Sequence, residues 1–255
     1  MEQITRKPLQ GIKNIIRFNR HFYVLALLLI AVMFFLLKLL PPSLKPVIII
    51  ILFLAVVGIV LSLSVSWYIY DHSDLYSLNW LDKIQINSYQ QLVIINAGFD
   101  ETSTVIHEKY VGCNLVVLDF YDPAKHTEIS IERARKAYPA YPGTKTISTT
   151  AVPLNANSVD CIFLIFAAHE IRNQKERIDF FHQLGNSLKL NGKIILTEHQ
   201  RDINNFIAYN IGFFHFFSTR TWKKTISIAG LRIESTFKLT PFITTFVLTK
   251  NGITA

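Results

Sequence analysis

The sequence predicts an α/β protein: a doubly wound, mostly parallel sheet closed by an antiparallel hairpin and carried behind two membrane-spanning helices. Three observations predict it. Two uninterrupted apolar stretches fall in the first quarter of the 255 residues. After them, short apolar runs alternate with helical patterns, the rhythm of successive βαβ units. Near the end, two strand-like runs are joined by a connection too short for a parallel crossover.

The apolar stretches come first. His21 to Leu40 reads HFYVLALLLIAVMFFLLKLL, and Val47 to Tyr70 reads VIIIILFLAVVGIVLSLSVSWYIY. At about 1.5 Å per residue, roughly 20 residues cross a hydrocarbon core of about 30 Å, so each stretch is long enough. The central Leu, Ile, Phe and Val of the first stretch together favour insertion by roughly 4 to 8 kcal/mol. Lys38 lies near an end, where its ammonium can reach the interface. A secretory signal peptide is the competing reading of the first stretch. Its apolar core would be unusually long, no small-residue cleavage site follows, and a second span comes at once. A helical hairpin in a soluble core fits poorly too, because neither segment has a polar face.

Orientation follows from the basic residues. Arg6, Lys7, Lys13, Arg17 and Arg20 precede the first span, whereas the turn from Pro41 to Pro46 carries only Lys45. The positive-inside rule places the N-terminus in the cytoplasm, and two spans return the chain to that side. The expected organisation is a basic cytoplasmic segment (1–20), a transmembrane hairpin (21–70) and a cytoplasmic domain (71–255). The net charge of +8 suits anionic lipid headgroups. Nucleic acid is not an expected partner, since no binding motif accompanies the basic residues. Cys113 and Cys161 lie far apart and outside any CxxC pattern, which fits a reducing compartment without a structural disulfide or zinc site.

Within the domain, Leu92–Ile95, Leu115–Leu118, Lys145–Ser148, Cys161–Phe166 and Lys193–Thr197 read as strands. Several are apolar throughout, as a parallel sheet buried on both faces requires. Helices are expected near Thr102–Tyr110, His126–Tyr138 and Lys175–Leu188, the last followed by an Asn191-Gly192 turn into the next strand. Ser218 can cap a helix running to Ala229. Leu231–Lys238 and Phe242–Thr249 then form the hairpin across a Thr-Pro connection. Ligands of such sheets bind beyond the carboxyl ends of the first strands, where the strand order reverses.

One segment carries more than topology. VPLNANSVDCIFLIFAAHEIRNQKERIDFFHQLGNSLKLNGKIILTEH, Val152 to His199, has a Pro-Leu turn, a Ser-x-Asp entry to strand four, an Ala-His exit from it and an LKLNGK turn into strand five. In these features, and over roughly Leu75 to Lys250, the chain resembles the class I S-adenosylmethionine-dependent methyltransferases of the type 11 kind. The resemblance implies a Rossmann-like sheet of seven strands and S-adenosylmethionine as cofactor. The loop after strand one, Asn96 to Ser103, would then meet the cofactor. A turn there exposes backbone N–H groups, and a glycine permits close approach. The family pattern has an acid and two or three glycines. This chain keeps only Gly98, with Asn96 and Asp100 where flanking glycines would fall and Ile94 where the acid would be. Thr102 or Ser103 could equally serve as a helix cap. Asp100 and Glu101 could complement the cationic ammonium and sulfonium. Asp119, at the end of strand two, would accept hydrogen bonds from the ribose hydroxyls, against the alternative of an ordinary turn acid beside Asp122. Thr150, beside Thr149 after strand three, would approach the adenine.

Methyl transfer needs alignment and exclusion of water, with a general base when the acceptor is a hydroxyl or an acidic carbon. His169 after strand four and Glu198-His199 after strand five border the crevice. His169 and His199 are the candidate bases, against a structural role for each, and His215 lies in the following insert. No metal-ligand constellation is visible in the sequence. The insert, Ile203 to Phe217, is rich in aromatics and reads as a lid over an apolar acceptor, a surface dipping into the bilayer, or core packing. The expected activity is methyl transfer to a lipophilic small-molecule acceptor at the membrane. A non-catalytic methyltransferase-like scaffold or partner-binding module is the alternative. A nicotinamide-dependent enzyme is more distant, because AGFDET stands where GxGxxG would be required.

Overall fold

The computed structural model describes residues 6–86, 90–126 and 128–251. The first five residues of the basic flank and Thr127 of the expected second helix lie outside the described residues. Three helices open the chain: α1 (Gln10–Phe18), α2 (Arg20–Leu39) and α3 (Lys45–Trp67). The candidate spans are Arg20–Leu39, of mean hydropathy 2.7, and Lys45–His72, of mean hydropathy 3.2. Both are long and apolar enough to cross a membrane. Their side chains are almost wholly unburied by the protein, unlike those of a soluble core helix.

The domain follows as β1 (Gln91–Asn96), α4 (Ser103–Lys109), β2 (Asn114–Asp119), α5 (Ile129–Ala137), β3 (Lys145–Thr146), β4 (Val159–Ile165) and α6 (Gln174–Ser187). It continues through β5 (Leu188–His199), α7 (Ile203–Tyr209), α8 (Thr219–Ile228), β6 (Leu231–Thr240) and β7 (Ile243–Lys250). The sheet has seven strands in the order β3-β2-β1-β4-β5-β7-β6. All pairings are parallel except those of β7, which runs against both β5 and β6, so one strand is reversed as expected. The order switches between β1 and β4, and the crevice opens there.

Both faces of the sheet are covered, which explains the continuous apolar runs. In β1 and β4, Val93, Ile95, Ile162 and Leu164 pack with Phe180, Phe181 and Leu184 of α6 and Trp222 of α8. Leu92, Ile94, Cys161 and Phe163 face the other way, against Trp80, Leu81 and Ile106.

The element boundaries differ from expectation at three places. The helix expected from His126 begins at Ile129, because Asp122 donates its backbone N–H to His126 Nδ1 at 2.8 Å and closes a turn first. Strand three is only two residues long. Asn191-Gly192 is an irregularity inside β5, not a turn before it. A side chain at Gly192 would meet the carbonyl oxygen of Val159 at 2.8 Å, so a glycine lets the two strands stay paired across a register shift.

The N-terminal flank, read from sequence as a basic tail, contains a docked helix. Asp71, just past α3, accepts from the backbone N–H of Gly11 at 2.7 Å and of Ile12 at 2.8 Å, capping α1. A β-carbon on Gly11 would fall 2.4 Å from that of Tyr70. Arg6 pairs with Glu101 at 2.9 Å, Tyr138 donates to Asn14 at 2.8 Å, and Phe18 meets Phe99 edge-on. The helix thus packs across the crevice mouth.

Candidate active site

The loop after β1 is built by its own side chains. Asn96 Oδ1 accepts from the N–H of Gly98 at 3.1 Å, and Gly98 takes φ of +95°. A β-carbon there would be strained and would lie 3.0 Å from Tyr121 and from Arg135. Asp100 Oδ1 accepts from the N–H of Thr102 at 2.9 Å and of Ser103 at 3.0 Å. Thr102 holds the N-cap position of α4 as expected, but its side chain makes no capping bond and the Ser103 hydroxyl has no partner; the capping side chain is that of Asp100. The other oxygen of Asp100 is buried without a hydrogen-bond partner, on a residue that lines the crevice. Such an orphaned carboxylate oxygen suits a cationic group.

Asp119 ends β2 and is buried. Its Oδ1 accepts from the N–H of Tyr121 at 2.9 Å, and its Oδ2 is paired with Arg135 of α5, which also lies over the Tyr121 ring. The acid expected at a ribose is thus in place but occupied from α5. Thr150 is exposed, bonded to Ser148, and does not line the crevice. Thr149 is buried but bonds to Glu176 of α6. These residues fit S-adenosylmethionine at Gly98 and Asp100. At Asp119 the fit requires Arg135 to yield.

A wider cavity of about 360 Å³ continues from the loop past Phe166 to the ends of β4 and β5. Phe99, Phe166, Tyr209 and Phe216 give it apolar walls, and α1 and the insert close two sides. Phe166 leaves β4 at φ of +52°, a conformation that a bulky residue rarely adopts, and stacks on His199 at 5.0 Å.

His199 is buried with its protonation legible from its partners. Asn205 donates through its amide nitrogen to Asp202 and to the carbonyl of Phe242, so its oxygen faces His199 Nδ1 at 3.0 Å. Nδ1 therefore carries the proton, and Nε2 accepts from the Tyr70 hydroxyl at 2.9 Å. Burial favours the neutral ring and pushes its pKa down to about 4. His199 is a neutral acceptor reached through Tyr70, which comes from the helical turn Tyr68–His72 just past α3.

His169 differs. Its Nδ1 lies 2.7 Å from Glu198 Oε2 and its Nε2 3.2 Å from Glu170 Oε1. Burial works against its charge, but the two carboxylates outweigh it and raise its pKa to about 10. With carboxylates on both ring nitrogens, His169 is a proton donor here, where the sequence suggests a base. Burial also disfavours ionised Glu170, yet hydrogen bonds from His169 and His215 hold it well below the ordinary carboxylate value. His215 lies 3.4 Å from Glu170 Oε1 through Nε2 and 3.0 Å from Glu128 Oε1 through Nδ1. Against the sequence expectation of no metal-ligand constellation, His169, Glu170 and His215 offer ligand atoms all within 4.8 Å of one another. Spacing could not reveal this, because Glu170 and His215 are 45 residues apart.

No protein-family model matches the chain, and no curated protein matches it significantly. Solved structures do. A chain of the Haloferax volcanii complex between the Trm112 methyltransferase activator and a methyltransferase aligns with TM-score 0.53 at 10% identity, over 71% of this chain and 91% of that one. An O-methyltransferase family 2 protein from Planctomyces limnophilus, solved with apigenin, aligns with TM-score 0.51 at 12% identity, over 76% and 61%. The PH0226 protein from Pyrococcus horikoshii aligns with TM-score 0.51 at 12% identity, over 68% and 88%. The domain has the Rossmann-like fold of the class I S-adenosylmethionine-dependent methyltransferases.

Proposed function

We propose that the protein transfers a methyl group from S-adenosylmethionine to a lipophilic small-molecule acceptor at the cytoplasmic surface of a membrane. The observation that carries this reading is that the aromatic insert serves two surfaces at once. On one side Tyr209, Gly212, His215 and Phe216 wall the cavity. On the other, a methyl on Gly58 of α3 would lie 3.4 Å from Asn210. Gly58 is nine residues before Trp67, about 14 Å along the helix axis, which is roughly half the depth of a hydrocarbon core. Ile207, Ile211 and Phe214 are exposed on this insert. An acceptor dissolved in the bilayer would have a short apolar route to the cavity, and tethering raises its encounter rate.

The bound cofactor would supply a methyl group activated by its sulfonium. Gly98 would give it room, and Asp100 would face its cationic part. Phe99, Phe166 and α1 would exclude water and align the acceptor. A proton leaving an acceptor hydroxyl would pass to the Tyr70 oxygen as Tyr70 gives its own to His199 Nε2.

The Arg135–Asp119 pair favours a second reading, a methyltransferase-like binding module that no longer takes the cofactor. One experiment separates the two. Full-length protein in lipid vesicles is titrated calorimetrically with S-adenosylmethionine and then incubated with membrane extract and labelled cofactor. Saturable binding and label in the organic phase support the enzyme. Binding with label only in protein or polar metabolites would remove the lipophilic acceptor, and no binding would favour the module.

A further inference from the structure

We propose that His169, Glu170 and His215 form a divalent transition-metal site that opens onto the acceptor cavity. The argument is geometric. His169 Nε2 and His215 Nε2 converge on the same oxygen, Glu170 Oε1, at 3.2 and 3.4 Å. Zinc binds imidazole and carboxylate at about 2.0–2.2 Å, so ligand atoms around one ion in a tetrahedral arrangement are roughly 3.3–3.5 Å apart. The two separations match that edge, and the third is no longer than 4.8 Å. Two histidines and one carboxylate are a donor set that suits zinc, iron or manganese and leaves coordination positions free.

The surroundings supply an independent observation. A ligating histidine ordinarily donates its other ring nitrogen to a carboxylate that fixes its tautomer and aim. Both histidines have such a partner here. Glu198, fully buried in β5, holds His169 Nδ1 at 2.7 Å, and Glu128, just before α5, holds His215 Nδ1 at 3.0 Å. Each ring is therefore oriented from behind, with Nε2 presented to Glu170. Four of these five residues, Glu128, His169, Glu170 and His215, line the cavity, so the free coordination positions face the space assigned to the acceptor and would take an oxygen ligand.

The site goes beyond the methyltransferase reading and does not depend on it, since metal binding is read without cofactor or turnover. The test uses full-length protein in detergent, stripped with a chelator and titrated with Co²⁺ and then Zn²⁺, with bound metal counted by elemental analysis and the cobalt spectrum recorded. The expected result is one Co²⁺ per chain with a visible ligand-field spectrum, displaced by Zn²⁺. His215→Ala and Glu170→Gln should each weaken binding at least about 100-fold, and Glu128→Gln about 10-fold. His182→Ala, at an exposed position on α6, should change nothing. Thermal melts of the metal-free proteins separate a lost ligand from a lost fold, and Glu170→Gln, which keeps size and hydrogen bonding, is the variant that decides. No stoichiometric binding by the parent overturns the proposal. So does binding that keeps the parent affinity in folded Glu170→Gln and His215→Ala, which would mark an adventitious ion.

Discussion

Arg135 gives the sharpest test of the cofactor site. Its guanidinium holds Asp119 Oδ2 and lies over Tyr121, while its side chain is 37% exposed against 5% for Asp119. A ribose that takes the same carboxylate oxygen must first displace it. An ion pair open to solvent on one side contributes about 1 kcal/mol. Arg135→Ala should therefore tighten S-adenosylmethionine binding about fivefold, at 1.4 kcal/mol per factor of ten. Asp119→Ala should weaken it about ten- to a hundredfold, the scale of one or two hydrogen bonds to a charged group. Asp119 also accepts from the Tyr121 N–H, so Asp119→Asn, which preserves that bond, should accompany it. The assay is calorimetric titration of full-length protein, with melting curves to confirm folding. If Arg135→Ala weakens binding as Asp119→Ala does, Arg135 is a ligand contact and the competition argument is wrong. If folded Asp119 variants bind like the parent, the cofactor lies elsewhere.

Gly98→Val should abolish cofactor binding, because its side chain would press on Tyr121 and Arg135 at a backbone angle that disfavours it; a folded variant that binds normally refutes this. For His199, held down to about 4 by burial against about 6.5 when unfolded, the unfolded chain takes up the proton first as pH falls. The stability from its neutral form is complete above about 6.5 and lost toward 4, roughly 3 kcal/mol across that window. His199→Gln should therefore melt with a flatter pH dependence there, and parallel curves for parent and variant would rule the account out. For topology, a cysteine replacing Ser43 in the turn between α2 and α3 should react with an impermeant thiol reagent on intact cells, and one replacing His182 should not. The opposite labelling pattern would invert the proposed orientation.

The sequence alone determined the order of the strands and of every helix but α1 and α7, because these depend on periodicities that survive without a partner. The apolar lengths of α2 and α3, the runs of β1 and β4 buried on both faces, and the short turn before β7 are local properties of the chain. Gly98 and Asp119 were legible because a turn and a strand end have local signatures. Only the tertiary structure decided what those residues touch. It brought Arg135 onto Asp119 and made Asp100, rather than Thr102 or Ser103, the side chain that caps α4. It left Thr150 outside the crevice and folded the basic flank into α1 against Glu101 and Asp71. Above all, it gathered Glu128, His169, Glu170, Glu198 and His215 from four separate stretches around one point. No spacing rule links such residues, because their proximity is set by the closure of the sheet and by the path of the insert over its carboxyl edge.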